Sequence, residues 1–179
     1  DAHDELVDRI DAEMEGFEPG DLFDEETSLG PLISHEQAEW VEELVEDALD
    51  RGATLVRGGS RSGRFFEPTL LADVPQDARI VHEEQFGPVV AVTTFDDEAG
   101  ALEVANGGSL GLDAAVFTAD YDRAMRVADR LEVGGVRING APSHGLGDIP
   151  FGGTKDSGIG REGIGYTIEA FVERKSIIL

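Results

Sequence analysis

Cysteine is absent from the 179 residues, and lysine occurs only twice, as Lys155 and Lys175. Without cysteine, these residues contain no disulfide, no thiolate metal site and no cysteine nucleophile. The four histidines lack the paired spacing of a metal site, so we predict no bound metal. No apolar run approaches the roughly 20 residues that cross a bilayer. The sequence therefore predicts a soluble globular protein with no membrane segment.

Positive charge is scarce, with 14 Lys and Arg against 38 Asp and Glu and a net charge of −24. Such a surface repels nucleic acid, which excludes it as a partner. The acids are spread along the chain rather than gathered in a tail. They form either an ordinary solvated surface or an adaptation to a salt-rich cytoplasm, where a Debye length of about 3 Å at ~1 M salt screens self-repulsion. We expect a cytoplasmic, halophilic protein.

The chain opens at Asp1 instead of a methionine and continues with an acidic amphipathic stretch. A signal peptide begins with positive charge followed by an apolar core, so this stretch is not one. We expect the sequence to be N-terminally incomplete.

The first half contains two helical patterns. Leu6, Ile10 and Met14 are four residues apart and predict a helix over residues 2–15. Ser34 and Gln37 match a capping box, and an apolar stripe follows until Gly52 ends the second helix. A short strand is expected over residues 54–56.

From residue 89 onward, strands and helices alternate. Strands are predicted at 89–95, 114–118 and 136–138, with helices at 98–105 and 121–131. Strands separated by helices indicate right-handed crossovers. The predicted fold class is therefore α/β, a mainly parallel open sheet with helices on both faces.

The C-terminus differs, because residues 171–179 read F-V-E-R-K-S-I-I-L with no helix behind them. We predict an extended strand that needs a sheet supplied from elsewhere, for which a neighbouring subunit is one candidate. The expected domains are residues 1–165 and a C-terminal helix turn and strand over residues 166–179.

Residues 83–88 read E-E-Q-F-G-P, two adjacent carboxylates before an aromatic residue and a rigid turn. In a doubly wound protein, a carboxylate at a strand end accepts the hydroxyls of a ribose. The alternative is a pair of solvated acids before a turn.

The second unusual stretch is residues 150–163, which has five glycines between Gly152 and Gly163. This density suggests a backbone path close to another backbone or to a ligand. It has neither the Walker sequence nor the strand-loop-helix setting of a phosphate loop, so phosphate cradling is rejected. We interpret its charged residues, which are Lys155, Asp156, Arg161 and Glu162, as structural ion pairs.

The motifs at 84–88, 110–118 and 150–162, together with Asn139 and the G-P-L-I at 30–33, stand in an order and spacing that resemble the aldehyde dehydrogenase superfamily. The resemblance covers nearly the whole chain. Any one of these motifs is weak, but five in register are specific.

The resemblance implies roles for individual residues. Glu84 holds the nicotinamide ribose of NAD or NADP, and Phe86 packs beside the nicotinamide ring. Phe151 lines the aldehyde pocket. Asn139 and the following loop with His144 form part of the substrate entrance.

In this family a thiolate attacks the aldehyde, hydride passes to the nicotinamide, and a glutamate-activated water hydrolyses the thioester. The resemblance places the cysteine upstream of these residues, and Ser157 has no evident base to replace it. We therefore expect no catalytic residue in this chain and no activity from it alone. The family's last strand joins a neighbouring subunit, which implies a homo-oligomer formed through residues 171–179.

Two alternatives remain open. A non-catalytic assembly or binding remnant of the same fold would explain the missing cysteine directly. An acidic protein that interacts through charge alone leaves the register of the motifs unexplained. If the protein is an enzyme, the block at 150–162 with Asp156 and the segment 139–148 resemble members that act on small hydroxy-aldehydes, such as lactaldehyde or glyceraldehyde-3-phosphate, or on succinate semialdehyde.

Overall fold

The computed structural model describes residues 2–141 and 149–179, which form two compact units divided between Phe95 and Asp96. Both units contain helices and strands, so the predicted α/β class is confirmed. The boundary expected between residues 165 and 166 is a different one and stays a prediction. No helix in the described part of the chain is both long and apolar enough to cross a membrane.

The first unit contains three helices and five strands. The helices are α1 (His3–Met14), α2 (His35–Asp50) and α3 (Arg79–His82). The strands are β1 (Thr54–Arg57), β2 (Arg61–Ser62), β3 (Phe65–Phe66), β4 (Thr69–Ala72) and β5 (Val89–Ala91). The sheet order is β1-β4-β5, antiparallel between β1 and β4 and parallel between β4 and β5, while β2 and β3 form a separate antiparallel pair.

Strand β4 lies at the centre of this unit, and all four of its residues are buried. Leu71 belongs to the apolar cluster of α2, whereas Leu70 and Ala72 belong to the cluster of α1. Successive side chains of a strand point to opposite faces. Helices α1 and α2 therefore cover opposite faces of the sheet, as the fold class predicts.

The apolar face of α1 is turned slightly from the predicted one. Val7 and Met14 are buried and Ile10 is partly buried, whereas Leu6 is 49% exposed. Spacings of three and four residues share one face of a helix, so Val7, Ile10 and Met14 form an equally regular stripe. The predicted helix is confirmed. Leu6 was predicted to share an apolar face with Ile10 and Met14, and Val7 takes that place in the structure.

Strand β5 is shorter than the predicted residues 89–95. Its partner β4 ends at Ala72, and the next residue, Asp73, has a left-handed backbone with φ 52°. A strand extends only as far as its neighbour offers backbone partners. The regular pairing of β4 with β5 therefore ends where the chain turns at Asp73, and one further backbone hydrogen bond joins Val74 to Val92 at 3.0 Å.

The second unit contains α4 (Glu98–Asn106), α5 (Tyr121–Arg130) and α6 (Ile164–Ala170). Its strands are β6 (Leu110–Gly111), β7 (Asp113–Val116), β8 (Gly135–Ile138) and β9 (Thr154–Lys155). Strands β7 and β8 are parallel and joined through α5, which is the predicted crossover. Strands β6 and β9 are antiparallel.

The C-terminal segment has no regular secondary structure and is exposed, with Phe171 86% and Ile178 93% accessible. Within the described residues it pairs with no strand. A strand needs a neighbour for its hydrogen bonds. Its assignment as a strand therefore stays a prediction.

Candidate functional site

The segment 83–88 forms a turn between α3 and β5 that displays two side chains. Glu84 is exposed, and Phe86 is 74% exposed. Phe86 has φ 40°, a left-handed conformation that is uncommon for a bulky residue. Within residues 2–141 and 149–179, the Glu84 carboxylate has no hydrogen bond or ion pair.

The two adjacent acids of this turn differ in their surroundings. Arg79 forms a two-pronged ion pair with Glu83, with N···O distances of 2.8 and 3.2 Å. The hydrogen bond from Arg79 holds the pKa of the Glu83 carboxyl below its ordinary value. Glu83 is thus engaged within the protein, whereas Glu84 has no such contact among the described residues.

Gln85 fastens the turn from within. Its side-chain oxygen accepts a hydrogen bond from the Gly87 amide, and its side-chain nitrogen donates to the Val89 carbonyl at 3.1 Å. These two bonds bracket Phe86. At Gly87 a Cβ atom would lie 2.6 Å from a methyl group of Val41, so only glycine allows the turn to pack this closely on α2.

Helix α2 holds the same turn from outside. The Gln37 side chain donates to the Gln85 carbonyl at 2.7 Å, and the Trp40 indole donates to the Glu84 carbonyl at 3.0 Å. Residues three apart lie on one face of a helix, so both donors face the turn. Trp40 in turn lies under the Arg79 guanidinium, 5.0 Å from the ring centre.

The capping box predicted from Ser34 and Gln37 is only partly present in the structure. The Ser34 hydroxyl accepts from the Gln37 amide at 3.1 Å, as a capping box requires. The Gln37 side chain instead reaches Gln85, 48 residues further along the chain. The N-cap prediction is confirmed, and Gln37 uses its side chain to hold the turn.

Asn139 lies directly after β8 in the second unit, with φ 52°. Its side chain accepts from the Thr118 amide and donates to the Thr118 carbonyl, both at 2.9 Å. It thereby extends the β7–β8 pairing by one residue and fixes where the following loop begins. Its predicted place at a substrate entrance stays a prediction.

Phe151 is half-buried and pairs its backbone with Glu162 in an isolated antiparallel bridge. Arg161 donates to the carbonyls of Gly153 and Gly160 at 2.8 and 2.7 Å. Arg161 therefore binds backbone carbonyl groups of the glycine-rich stretch, whereas we expected it to form an ion pair.

Lys155 bonds the carbonyls of Asn106 and Gly108 and forms an ion pair of 3.1 Å with Glu132, which confirms its structural interpretation. The Ser157 hydroxyl accepts a hydrogen bond from the Gly111 amide at 2.8 Å. A Cβ at Gly134 would overlap the Gly152 carbonyl oxygen, the close backbone approach that the glycine density predicts.

The predicted site residues are thus distributed over both units. Glu84 and Phe86 belong to the first, and Asn139 and Phe151 to the second. His144 lies outside the described residues. No group of three potential metal ligands occurs among residues 2–141 and 149–179.

Sequence reasoning missed Trp40 and Gln85, and saw Gln37 only as a helix cap. No periodic pattern marks them, because each acts through a single hydrogen bond or pair of bonds on the turn. The feature that points to their role is the positive φ of Phe86, and it is seen in the structure but not in the sequence.

Comparisons with known proteins show the family of this chain. The sequence profile of the Aldehyde dehydrogenase family matches residues 1–177. A succinate-semialdehyde dehydrogenase (NADP(+)) of Deinococcus radiodurans is 48% identical over 165 residues, which are 90% of this chain and 34% of that protein.

Two solved structures show the same fold. One is a glyceraldehyde-3-phosphate dehydrogenase of Methanocaldococcus jannaschii complexed with NADP, with TM-score 0.87 and 39% identity over 94% of this chain and 36% of that one. The other is a Mycobacterium tuberculosis aldehyde dehydrogenase complexed with NAD+. Its TM-score is 0.89, and it is 35% identical over 99% of this chain and 38% of that one.

These matches define the class as a family of oxidoreductases. The chain belongs to the aldehyde dehydrogenase family. It spans about a third of the length of these relatives.

Proposed function

We propose that this chain is the part of an NAD(P)-dependent aldehyde dehydrogenase that holds the nicotinamide side of the cofactor and part of the aldehyde pocket. The observation that carries the proposal is the turn at 83–88, which presents an exposed aromatic ring and a carboxylate that has no partner among residues 2–141 and 149–179. Family membership supports it.

The chemistry of these two groups fits the nicotinamide half of a dinucleotide. A carboxylate accepts hydrogen bonds from both hydroxyls of a ribose, and an aromatic face packs against a planar ring. Glu84 would bind the ribose hydroxyls, and Phe86 would pack beside the ring. A nicotinamide held there would supply the hydride acceptor for the oxidation.

The thiol nucleophile of this proposal comes from polypeptide outside these residues, because they contain no cysteine. Phe151, Asn139 and His144 would contribute to the aldehyde pocket and its entrance. The preferred substrates would be small hydroxy-aldehydes or succinate semialdehyde. The Deinococcus relative named for succinate semialdehyde supports the latter.

The assembly in this proposal is a homo-oligomer joined through residues 171–179. Exposed apolar side chains at Phe171, Ile177 and Ile178 support it, since they find no cover within the described chain. The acid surplus supports a salt-rich cytoplasm as its location.

The test is made on the full-length protein that contains these residues. Purified in molar salt, it should reduce NAD+ or NADP+ with one of these aldehydes, followed by absorbance of the reduced nicotinamide. Glu84→Gln should weaken cofactor binding about 10- to 100-fold, since charged hydrogen bonds contribute about 1.5–3 kcal/mol. Glu103→Gln, on an exposed face of α4, is the matched control.

The 179-residue chain alone should produce no reduced cofactor, because it has no thiol. The remnant hypothesis makes the opposite prediction for the full-length protein, which would assemble but oxidise none of the aldehydes. Full activity of Glu84→Gln with unchanged cofactor affinity would remove Glu84 from the proposed site.

A further inference from the structure

The backbone at Phe86 is in a conformation that a bulky residue does not adopt unaided. A left-handed φ is unfavourable for such a residue and persists only where the surroundings over-determine it. Phe86 itself contributes little, since 74% of its side chain is exposed. The conformation must therefore be imposed by its neighbours.

Gln85 supplies the inner constraint. The Gln85 side chain accepts a hydrogen bond from the Gly87 N–H and donates one to the Val89 carbonyl. A single side-chain amide therefore links Gln85 to two residues that follow Phe86. A side chain without hydrogen-bonding atoms would leave the Gly87 amide without a partner. The turn would then be free to relax towards an extended backbone, which moves the Phe86 ring.

Trp40 supplies the outer constraint. Its indole N–H fixes the Glu84 carbonyl, and its ring is held under Arg79, which in turn bonds Glu83. The peptide group that follows Glu84 is thereby tied to α2, whose apolar residues form the buried core of the unit. The direction of the Glu84 side chain depends on this tie.

Building on the proposed function, we infer that Gln85 and Trp40 are positioning residues that hold Glu84 and Phe86 in the geometry for binding the nicotinamide half of the cofactor. Neither touches the reacting atoms. Both act by reducing the ordering that the turn would otherwise undergo on binding.

The experiment compares full-length wild type with two variants. Gln85→Met keeps the side chain's length and removes both hydrogen bonds, and Trp40→Phe keeps a ring under Arg79 and removes the N–H donor. Net hydrogen-bond contributions predict a rise in the cofactor dissociation constant of about 10-fold for Gln85→Met and about 3-fold for Trp40→Phe. Calorimetric titration with NAD+ and NADP+ measures it.

A second readout separates positioning from general loss of structure. In Gln85→Met, hydrogen exchange of the Gly87 amide should accelerate, while the KM for aldehyde stays at the wild-type value and the melting temperature falls by no more than the loss of two hydrogen bonds explains. Gln85→Glu, which retains an acceptor for Gly87 N–H, should restore part of the affinity.

Gln76→Met is the matched control, because Gln76 makes a similar side-chain bond to the Thr94 carbonyl at 2.8 Å in the same unit. It should leave cofactor affinity unchanged. Equal losses of affinity in Gln76→Met and Gln85→Met would overturn the inference.

The outcomes distinguish this inference from the function on which it rests. A wild-type protein that binds neither cofactor would overturn both. If wild type binds and Glu84→Gln binds weakly, but Gln85→Met and Trp40→Phe bind normally, the function stands and the positioning role is wrong.

Discussion

At the scale of single residues, identical side chains have different roles according to their neighbours. Glu83 and Glu84 are adjacent, yet Arg79 occupies only the first. Glu98 is a third case, in which one carboxylate on α4 meets three arginines of α5. Its closest contacts are with Arg126, at 2.8 and 2.9 Å.

The Glu98 contacts predict a pH-dependent contribution to stability. The hydrogen bond from Arg126 is the main reason why the pKa of the Glu98 carboxyl lies below its ordinary value; burial opposes this shift, and the charges of the three arginines add to it. A carboxyl whose folded pKa is depressed stabilises the fold above its unfolded pKa, and that contribution is lost as pH falls through the folded pKa. Glu98→Gln should therefore lower the melting temperature near neutral pH.

The difference between wild type and Glu98→Gln should shrink as both are acidified below the ordinary range of a glutamate, where wild-type Glu98 is also neutral. Thermal unfolding at a series of pH values checks this. Glu103→Gln on the same helix is the control, and a difference that grows on acidification would contradict the assigned ion pair.

At the scale of elements, one short strand organises the first unit. β4 has only four residues, but it pairs with β1 on one side and β5 on the other. Its two faces are covered by different helices, so Leu70 and Leu71 enter separate apolar clusters. The turn at 83–88 leads directly into β5, and β5 is held by its pairing with β4. The position of the turn therefore depends on β4.

Truncating the centre of this strand should therefore be costly. Leu71→Ala removes a side chain with no exposed surface and should reduce the free energy of unfolding by about 2–5 kcal/mol. Val90→Ala on neighbouring β5, where the side chain is 39% exposed, should cost less. Urea denaturation of the full-length variants measures both, and equal losses would contradict the central position of β4.

At the scale of the whole molecule, charge is the dominant property. The net charge of −24 is distributed over both units, with acids on exposed faces of α1 and α2. Repulsion among such charges weakens as the Debye length falls with added salt. The charge predicts a protein whose stability depends on ionic strength.

The melting temperature should rise as potassium chloride is increased from about 0.1 M to about 2 M, over which the Debye length falls from about 10 Å to below 3 Å. The double variant Asp8→Lys and Glu13→Lys, on the exposed face of α1, should show a smaller rise. A wild-type melting temperature that does not change with salt would contradict the halophilic expectation.

The sequence by itself determined the alternation of the longer strands and helices between residues 89 and 138, the Ser34 cap and the family. Each depends on local information, either periodicity within one element or residue types at short spacing. It also singled out the turn at 83–88. The residue types alone left open whether the two acids bind a ligand or only solvent, and the family resemblance implied the ribose role of Glu84.

Only the tertiary structure decided which acid is available and what holds the turn. The bonds from Gln37 and Trp40 to the turn join residues 48 and 44 positions apart. Such contacts exist because α2 packs beside the turn. That packing depends on all the elements that lie between α2 and the turn in the sequence. For the same reason β4, too short to show a period, became recognisable as the central strand only once its neighbours were in place.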